Sequence, residues 1–269
     1  MTPSDILKWA VTLHTARLSK LPIEQISDSD MSDTGQAKTS FLRQDAYAIQ
    51  EAGIGMRERD GEKLIGIKMG LTSEAKRKQM DLDSPLYGEL TDKMQIPNGG
   101  NYNLSPQIHP KIEPEVAFLI GNELKGNVSR EDVLAATTEI YPCMEILDSR
   151  YKQFKYFSME DVISDNSSSS HFVLGPGLKD FRHLDLANLN LEMKVNGEVV
   201  QSGNTSAISG DPVVSVIQLC ELLMERKRCI PAGTIVLAGA ATIAVQLEEG
   251  MTVELEMEGL EKTSVTIIE

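Results

Sequence analysis

Cysteine is scarce in this chain and poorly placed for its usual structural roles. The 269 residues hold three, Cys143, Cys220 and Cys229. An odd number with no C-x-x-C spacing argues against a disulfide framework, excludes a thiolate zinc site, and fits a reducing compartment. Positive charge is short as well: 26 Lys and Arg stand against 40 Asp and Glu, giving a net −14 and a sequence pI near 4.8. A field of that sign repels phosphate backbones and anionic lipid, so neither nucleic acid nor a membrane surface is an expected partner. No window approaches a bilayer-spanning run, and the start, M-T-P-S-D-I-L-K-W, has no basic segment leading into an apolar one; a cytoplasmic protein is expected. There is no internal repeat, no G-x-G-x-x-G, no Walker loop and no G-x-S-x-G elbow. Dinucleotide, nucleotide and serine-hydrolase readings therefore have nothing to stand on.

What is present suits a folded α+β protein. At 41% hydrophobic and 25% charged residues, the chain can build one large domain or two small ones with a real core. Residues 1–18 read as an amphipathic helix, with Thr2 as cap, Pro3 at the first position and Asp5 three residues past the cap. Ile6, Trp9, Ala10 and Leu13 form its apolar stripe. After the polar loop S-D-S-D-M-S-D-T-G-Q, a second helix is expected over roughly Ala37–Arg59, with Phe41, Leu42, Ala46, Ile49 and Met56 on one face. Residues 1–60 thus look like a helical lead-in, and 61–269 like the strand-rich part. Within that part, Leu64–Gly70 reads as a strand, Glu74–Met80 as a short basic helix, and D-L-D-S-P-L-Y-G-E-L-T-D as a loop. Ser129 opens a helix ending near Thr138, and Asp211-Pro212 opens another carrying Val213, Val216, Cys220 and Leu223. Leu189, Leu191, Met193 and Val195 alternate into an Asn196-Gly197 hairpin, and strands follow at Val236–Ala238, Val253–Met257 and Val265–Ile268.

The chemistry gathers around I-H-P-K-I-E-P-E-V-A-F, Ile108–Phe118. Its alternation puts Ile112, Pro114, Val116 and Phe118 on one side of a strand and Lys111, Glu113, Glu115 and Ala117 on the other. Pro114 removes a backbone donor, so the strand is expected at an edge or a bulge. Two carboxylates two residues apart repel unless a cation lies between them, and a hard divalent ion such as magnesium or manganese resolves the conflict. A bare E-x-E also fits a solvated acidic face. A third acid in an apolar strand, Glu145 in I-Y-P-C-M-E-I-L, favours the metal, because buried acids are rare unless paired or bound. Lys68, in the apolar run L-I-G-I-K-M-G, reads either as an edge-strand lysine reaching solvent or as a cation holding an anionic substrate. The tract S-D-N-S-S-S-S-H, residues 164–171, reads either as a linker or as a polar cradle beside the metal.

Five ordered motifs carry a family resemblance: D-A-Y-A-I-Q (Asp45–Gln50), G-I-K-M-G-L-T-S (Gly66–Ser73), I-E-P-E-V-A-F (Ile112–Phe118), M-E-I-L-D-S-R (Met144–Arg150) and S-D-N-S-S-S (Ser164–Ser169). Together they resemble the hydratase/decarboxylase family of the fumarylacetoacetate-hydrolase superfamily, over nearly the whole chain. The resemblance implies N-terminal helices leading into a rolled mixed β-sheet core of the superfamily's C-terminal-domain type. It implies Mg2+ or Mn2+ held by Glu113, Glu115 and Glu145, with Lys68 as the active-site lysine and Asn166 and Ser168 in a polar substrate loop. It also implies metal-dependent decarboxylation of a small 2-oxo diacid, 2-oxo-3-hexenedioate, to 2-hydroxypenta-2,4-dienoate in meta-cleavage breakdown of aromatic compounds. The alternatives are hydration of that dienoate, or a non-catalytic 2-oxo-acid-binding subunit. Leu86 stands where the family's hydratases typically carry an aspartate, which favours decarboxylation. Arg150 and His109 are candidates to hold the distal carboxylate, against the more ordinary reading of a surface ion pair or a structural side chain. The resemblance further implies a homo-oligomer and a complex with the pathway's dienoate hydratase.

Overall fold

The computed structural model describes residues 1–27, 41–73, 77, 84–152 and 158–269. Helix α1 (Pro3–Ser19) opens as its sequence dictates: the Thr2 hydroxyl accepts from the Asp5 N–H, and the Asp5 carboxylate accepts from the Thr2 N–H. This reciprocal cap satisfies two otherwise orphaned donors. Helix α2 (Arg43–Arg59) begins later than expected. Leu42 is its N-cap rather than an interior residue, and at 45% exposure it does not join the buried face. Residues 28–40, which hold the polar loop apart from Ser27, and all of the expected 74–80 helix except Arg77 lie outside the described residues. The two helices close over Ala10, Leu13, Ile26, Ile49 and Tyr151, while Ala46 and Tyr47 join the main core.

Two sheets form the body. The larger runs β2 (Leu86–Thr91), β1 (Leu64–Gly70), β10 (Thr234–Ala240), β5 (Lys111–Ile120), β6 (Thr137–Leu147), β7 (Ser169–Leu174) and β3 (Gln95–Ile96), and β11 (Val245–Gln246) pairs with β5. It is mixed: β1 and β10 are parallel, as are β3 and β7, and the other pairs are antiparallel. The smaller runs β4 (Asn101–Asn103), β13 (Thr263–Ile268), β12 (Thr252–Met257), β8 (Asn190–Val195) and β9 (Glu198–Asn204), with β8 and β9 joined at Asn196-Gly197. Ile112, Val116 and Phe118 of β5 share one continuous core with Val253, Leu255 and Val265 of the smaller sheet. Helices α3 (Arg130–Ala136) and α5 (Pro212–Glu225) pack on each other, and α5 covers β10, β1 and β2. Helix α4 (Met159–Ser164) packs on α2.

Two expectations change and two open alternatives resolve. The stretch from Leu86 to Thr91 is not a loop but a wholly buried strand, because its alternate residues meet the core on both faces. Of the edge or bulge that Pro114 implied, the structure shows the bulge, with strand β5 central in the sheet. Its Pro114 carbonyl accepts from Ala241, so the ring occupies the donor position facing the bulge where β10 leaves and β11 takes over. A strand residue's N–H and C=O point the same way, so the missing donor faces this break and not the ladder to β6. The serine tract is a buried turn running into β7, not a linker. Finally, Thr205–Glu225 is long and apolar enough to cross a membrane by composition, but Val213, Val216, Leu219 and Leu223 sit in the core.

Candidate metal and active site

The sheet's second face carries a small apolar cluster, with Ala117 of β5, Cys143 of β6 and Leu237 of β10. Period-2 alternation sends Glu115 and Glu113 to the same face as Ala117, and Glu145 to the same face as Cys143. Glu113 and Glu145 are register partners across the β5–β6 ladder. Lys68 of β1 lies beside Leu237 and so joins them. The result is one oxygen from each of Glu113, Glu115 and Glu145 within 4.8 Å of one another, with Glu115 and Glu145 fully buried and Glu113 half-buried.

Each support comes from a different strand. The Lys68 ammonium lies 2.9 Å from Glu145 Oε2, and the Ser169 hydroxyl donates to Glu145 Oε1 at 2.8 Å. The Gly239 N–H donates to Glu115 Oε2 at 2.8 Å. Burial, then repulsion by Glu145 and Glu113, hold Glu115 well above the usual carboxylate range. Burial opposes the charge on Lys68, but the three carboxylates outweigh it and raise its pKa. One lysine against three acids leaves the cluster two charges short of neutral. Glu115 Oε1 is buried with no protein partner among the described residues. Converging oxygen donors, a charge deficit of two and an unpartnered oxygen fit a hard divalent cation such as magnesium or manganese.

Gly239 is irreplaceable on two grounds. Its φ is +111°, and a Cβ there would run into the Thr72 side chain. Gly239→Ala is expected to cost about 1–3 kcal/mol of stability and to weaken metal binding by displacing the donor to Glu115. Thermal unfolding with and without magnesium checks this, and an unchanged metal-induced stabilisation would contradict it.

Beside the carboxylates lies a cavity of about 140 Å³, lined by Lys68, Glu113, Leu147, Val162, Ser167 and Ala240, and by the residues from Met69 to Ser73. The hydroxyl reaching it from the serine tract is Ser167, one position from the expected Ser168. Asn166, Ser167 and Ser168 all adopt left-handed φ, 51° to 55°. That conformation is costly for three successive non-glycine residues and persists only when the surroundings enforce it. Arg150 enforces it from behind: its guanidinium bonds the Asp165 carboxylate and carbonyl, and donates to Asp148 O at 2.7 Å and Ser169 O at 3.1 Å. Ser168 donates to Asp165 at 3.2 Å. Asn166 clamps β2, accepting from the Glu89 N–H at 2.7 Å and donating to its carbonyl at 2.8 Å. A Cβ at Gly88 would fall 2.6 Å from the Asn166 carbonyl, so only glycine admits this approach.

The structure thus brings together Glu113, Glu115, Glu145 and Lys68. Asn166, Ser168, Leu86, Arg150 and His109 do not line the cavity. Leu86 is fully buried one layer back, against Gly70. The serine run leaves the register open by one position, which reaches Ser167; sequence reasoning missed Ser169 and Gly239. The glycine in the apolar run V-L-A-G-A was the one available signal, since a strand glycine marks a bulge or a close approach.

Behind the same turn, His171 of β7 stacks edge-on against Tyr102 with centroids 5.1 Å apart. Burial, then Arg57 and Arg17, push its pKa down to about 4 from 6.5. A depressed histidine contributes stability above pH 6.5 and loses it as pH falls through about 4, here about 3 kcal/mol. Wild type is therefore expected to lose more stability than His171→Asn between those pH values in urea titrations. An imidazole NMR titration centred near 6.5 would contradict the assignment.

Known proteins resemble this chain over most of its length. Residues 80–268 match the family described as fumarylacetoacetate (FAA) hydrolase C-terminal. The chain is 41% identical to 4-oxalocrotonate decarboxylase of Pseudomonas sp. (strain CF600) over 269 residues, covering 100% of this chain and 98% of that one. It is 35% identical to 2-hydroxyhexa-2,4-dienoate hydratase of Comamonas testosteroni over 229 residues, covering 84% and 86%. The solved 4-oxalocrotonate decarboxylase from Pseudomonas putida G7, complexed with magnesium and adipate, matches with a TM-score of 0.92 at 36% identity, covering 100% and 99% of the two chains. A family match over most of the chain, together with these relatives, places this protein in the fumarylacetoacetate hydrolase C-terminal family.

Proposed function

We propose that this protein removes CO2 from 2-oxo-3-hexenedioate (4-oxalocrotonate) to give 2-hydroxypenta-2,4-dienoate. The observation that carries the reading is the Glu113–Glu115–Glu145 cluster with Lys68 beside it, in a chain 41% identical to a 4-oxalocrotonate decarboxylase. In this reading the three glutamates hold a divalent ion, magnesium or manganese, which supplies Lewis acidity toward the ketone of a 2-oxo acid. The departing carboxylate is carried on C5, next to the 3,4 double bond that is conjugated to that ketone, so the electron pair left by CO2 is delocalised through it onto the C2 oxygen. Lys68, kept charged by its carboxylate neighbours, stabilises that oxygen and gives it the proton that completes the 2-hydroxy product. The Ser167 hydroxyl orients the substrate, and Leu147, Val162 and Ala240 keep water from the dienolate. Asn166, Ser168 and Arg150 act at one remove, by fixing the turn that presents Ser167, while Leu86 backs Gly70.

Hydration needs a second proton-transferring acid within reach of the substrate carbons. Among the described residues, Glu113 is the only carboxyl that lines the cavity, which favours decarboxylation. The same reading makes the protein a cytoplasmic, self-associating enzyme of meta-cleavage catabolism that passes its product to a dienoate hydratase; the three unpaired cysteines are compatible with that compartment. Incubation with magnesium and the diacid tests the reading: CO2 release that stops on chelation is expected. Binding of the diacid without CO2 would identify a non-catalytic subunit instead.

A further inference from the structure

Positive charge is rare in this chain, yet four cations meet away from the reaction cavity. Arg17 of α1, Arg57 of α2, Arg150 and Lys93 line a second cavity of about 260 Å³ that shares no lining residue with the first. Two acids, Glu62 and Asp148, also line it, leaving a net charge of four minus two, or +2, in a protein of net −14. Both acids are already engaged. Glu62 accepts from Arg57 Nε at 2.8 Å and from the Thr91 hydroxyl. Asp148 accepts from the backbone N–H groups of Ile108 and His109 at 2.8–3.2 Å.

Arg150 spends its donors on Asp165 and on two backbone carbonyls. Arg17 has no such outlet: it is half-buried, and among the described residues its guanidinium makes no hydrogen bond or ion pair. Burial, then repulsion by Arg57, pull its pKa down to about 10. A partly desolvated, unpaired cation among other cations carries a free-energy cost that a bound anion would relieve. The guanidinium fork suits paired oxygens of a phosphate or a carboxylate.

We propose that this cavity is a second ligand site, built for a compact dianion bearing paired oxygens, with Arg17 and Lys93 as its direct contacts and Arg57 behind them. Such a dianion is inorganic phosphate or a short dicarboxylate. The site lies next to the reaction centre, since Ser169 both lines it and donates its hydroxyl to Glu145.

Calorimetric titration of the magnesium-loaded full chain tests this, with inorganic phosphate and succinate as separate probes. Wild type is expected to bind at least one probe at a single site, and which one binds distinguishes an oxyanion from a dicarboxylate ligand. Arg17→Gln should weaken that binding roughly tenfold or more, the scale of one charge-assisted hydrogen bond. Its magnesium affinity and its turnover in anion-free buffer should be unchanged. Lys93→Gln, an exposed position, should weaken binding in the same direction. Equal affinity in wild type and both variants would place the anion in the reaction cavity and overturn the proposal. Failure of both probes to bind wild type in the millimolar range would overturn it as well.

Discussion

Glu115→Gln and Glu145→Gln are each expected to weaken magnesium binding on the order of 100-fold or more and to abolish CO2 release. Loss of a partner that merely supports a metal ligand costs up to about 100-fold, and these residues are assigned as ligands themselves. Fold stability should move the other way in Glu115→Gln. Burial and two neighbouring carboxylates make the charged Glu115 unfavourable without a cation, and glutamine keeps an oxygen for the Gly239 N–H while removing the charge. The metal-free variant should therefore melt at or above the wild-type temperature. Magnesium at 100 times its Kd should add about 2.7 kcal/mol to wild type and far less to the variant. Magnesium affinity equal to wild type in both variants would end the metal assignment.

Lys68→Met is expected to lower kcat by about 100-fold or more, near 3 kcal/mol, the scale seen when a preorganised charge-stabilising group is lost from a dry site. Magnesium binding should tighten, because the ammonium 2.9 Å from Glu145 repels an incoming cation and competes for the same oxygen. The metal-free variant should also be less stable, since removing one partner of a buried pair strands the other. A purely structural lysine would lower stability while leaving kcat near wild type once magnesium is saturating, and that result would contradict the catalytic role.

Much of this arrangement was legible in the sequence, for reasons that were local. Thr2, Pro3 and Asp5 write the start of α1, Asn196-Gly197 writes the β8–β9 hairpin, and period-2 alternation places Glu113 with Glu115 and Ala117. A lone acid in the apolar β6 run flagged Glu145. The remainder depended on contacts distant in sequence. Ser84, Pro85 and Gly88 read as loop residues, yet Gly88 is small because Asn166 packs against it, 78 positions later. Pro114 left an edge or a bulge open, and the break between β10 and β11 places it at a bulge in a central strand. Within four consecutive serines the residue facing the cavity cannot be read, since the side chains are identical. Its register is fixed by Arg150 and Asp165, whose pairing holds three left-handed residues in place. The same pairing explains why Arg150, which resembled a substrate clamp, lies behind the turn with its donors taken.

Leu86 and the scarcity of carboxyls around the cavity bear on which reaction the site favours. Leu86 is buried behind Gly70, and a wall of Leu147, Val162 and Ala240 lines the space where a dienolate would form. A site of that composition releases CO2 but has no further acid among the described residues with which to add water. The most direct measurement is a side-by-side comparison of initial rates at saturating magnesium, CO2 release from 2-oxo-3-hexenedioate against water addition to 2-hydroxypenta-2,4-dienoate. Rapid CO2 release with little hydration is the predicted result; hydration of the dienoate faster than decarboxylation of the diacid would contradict it.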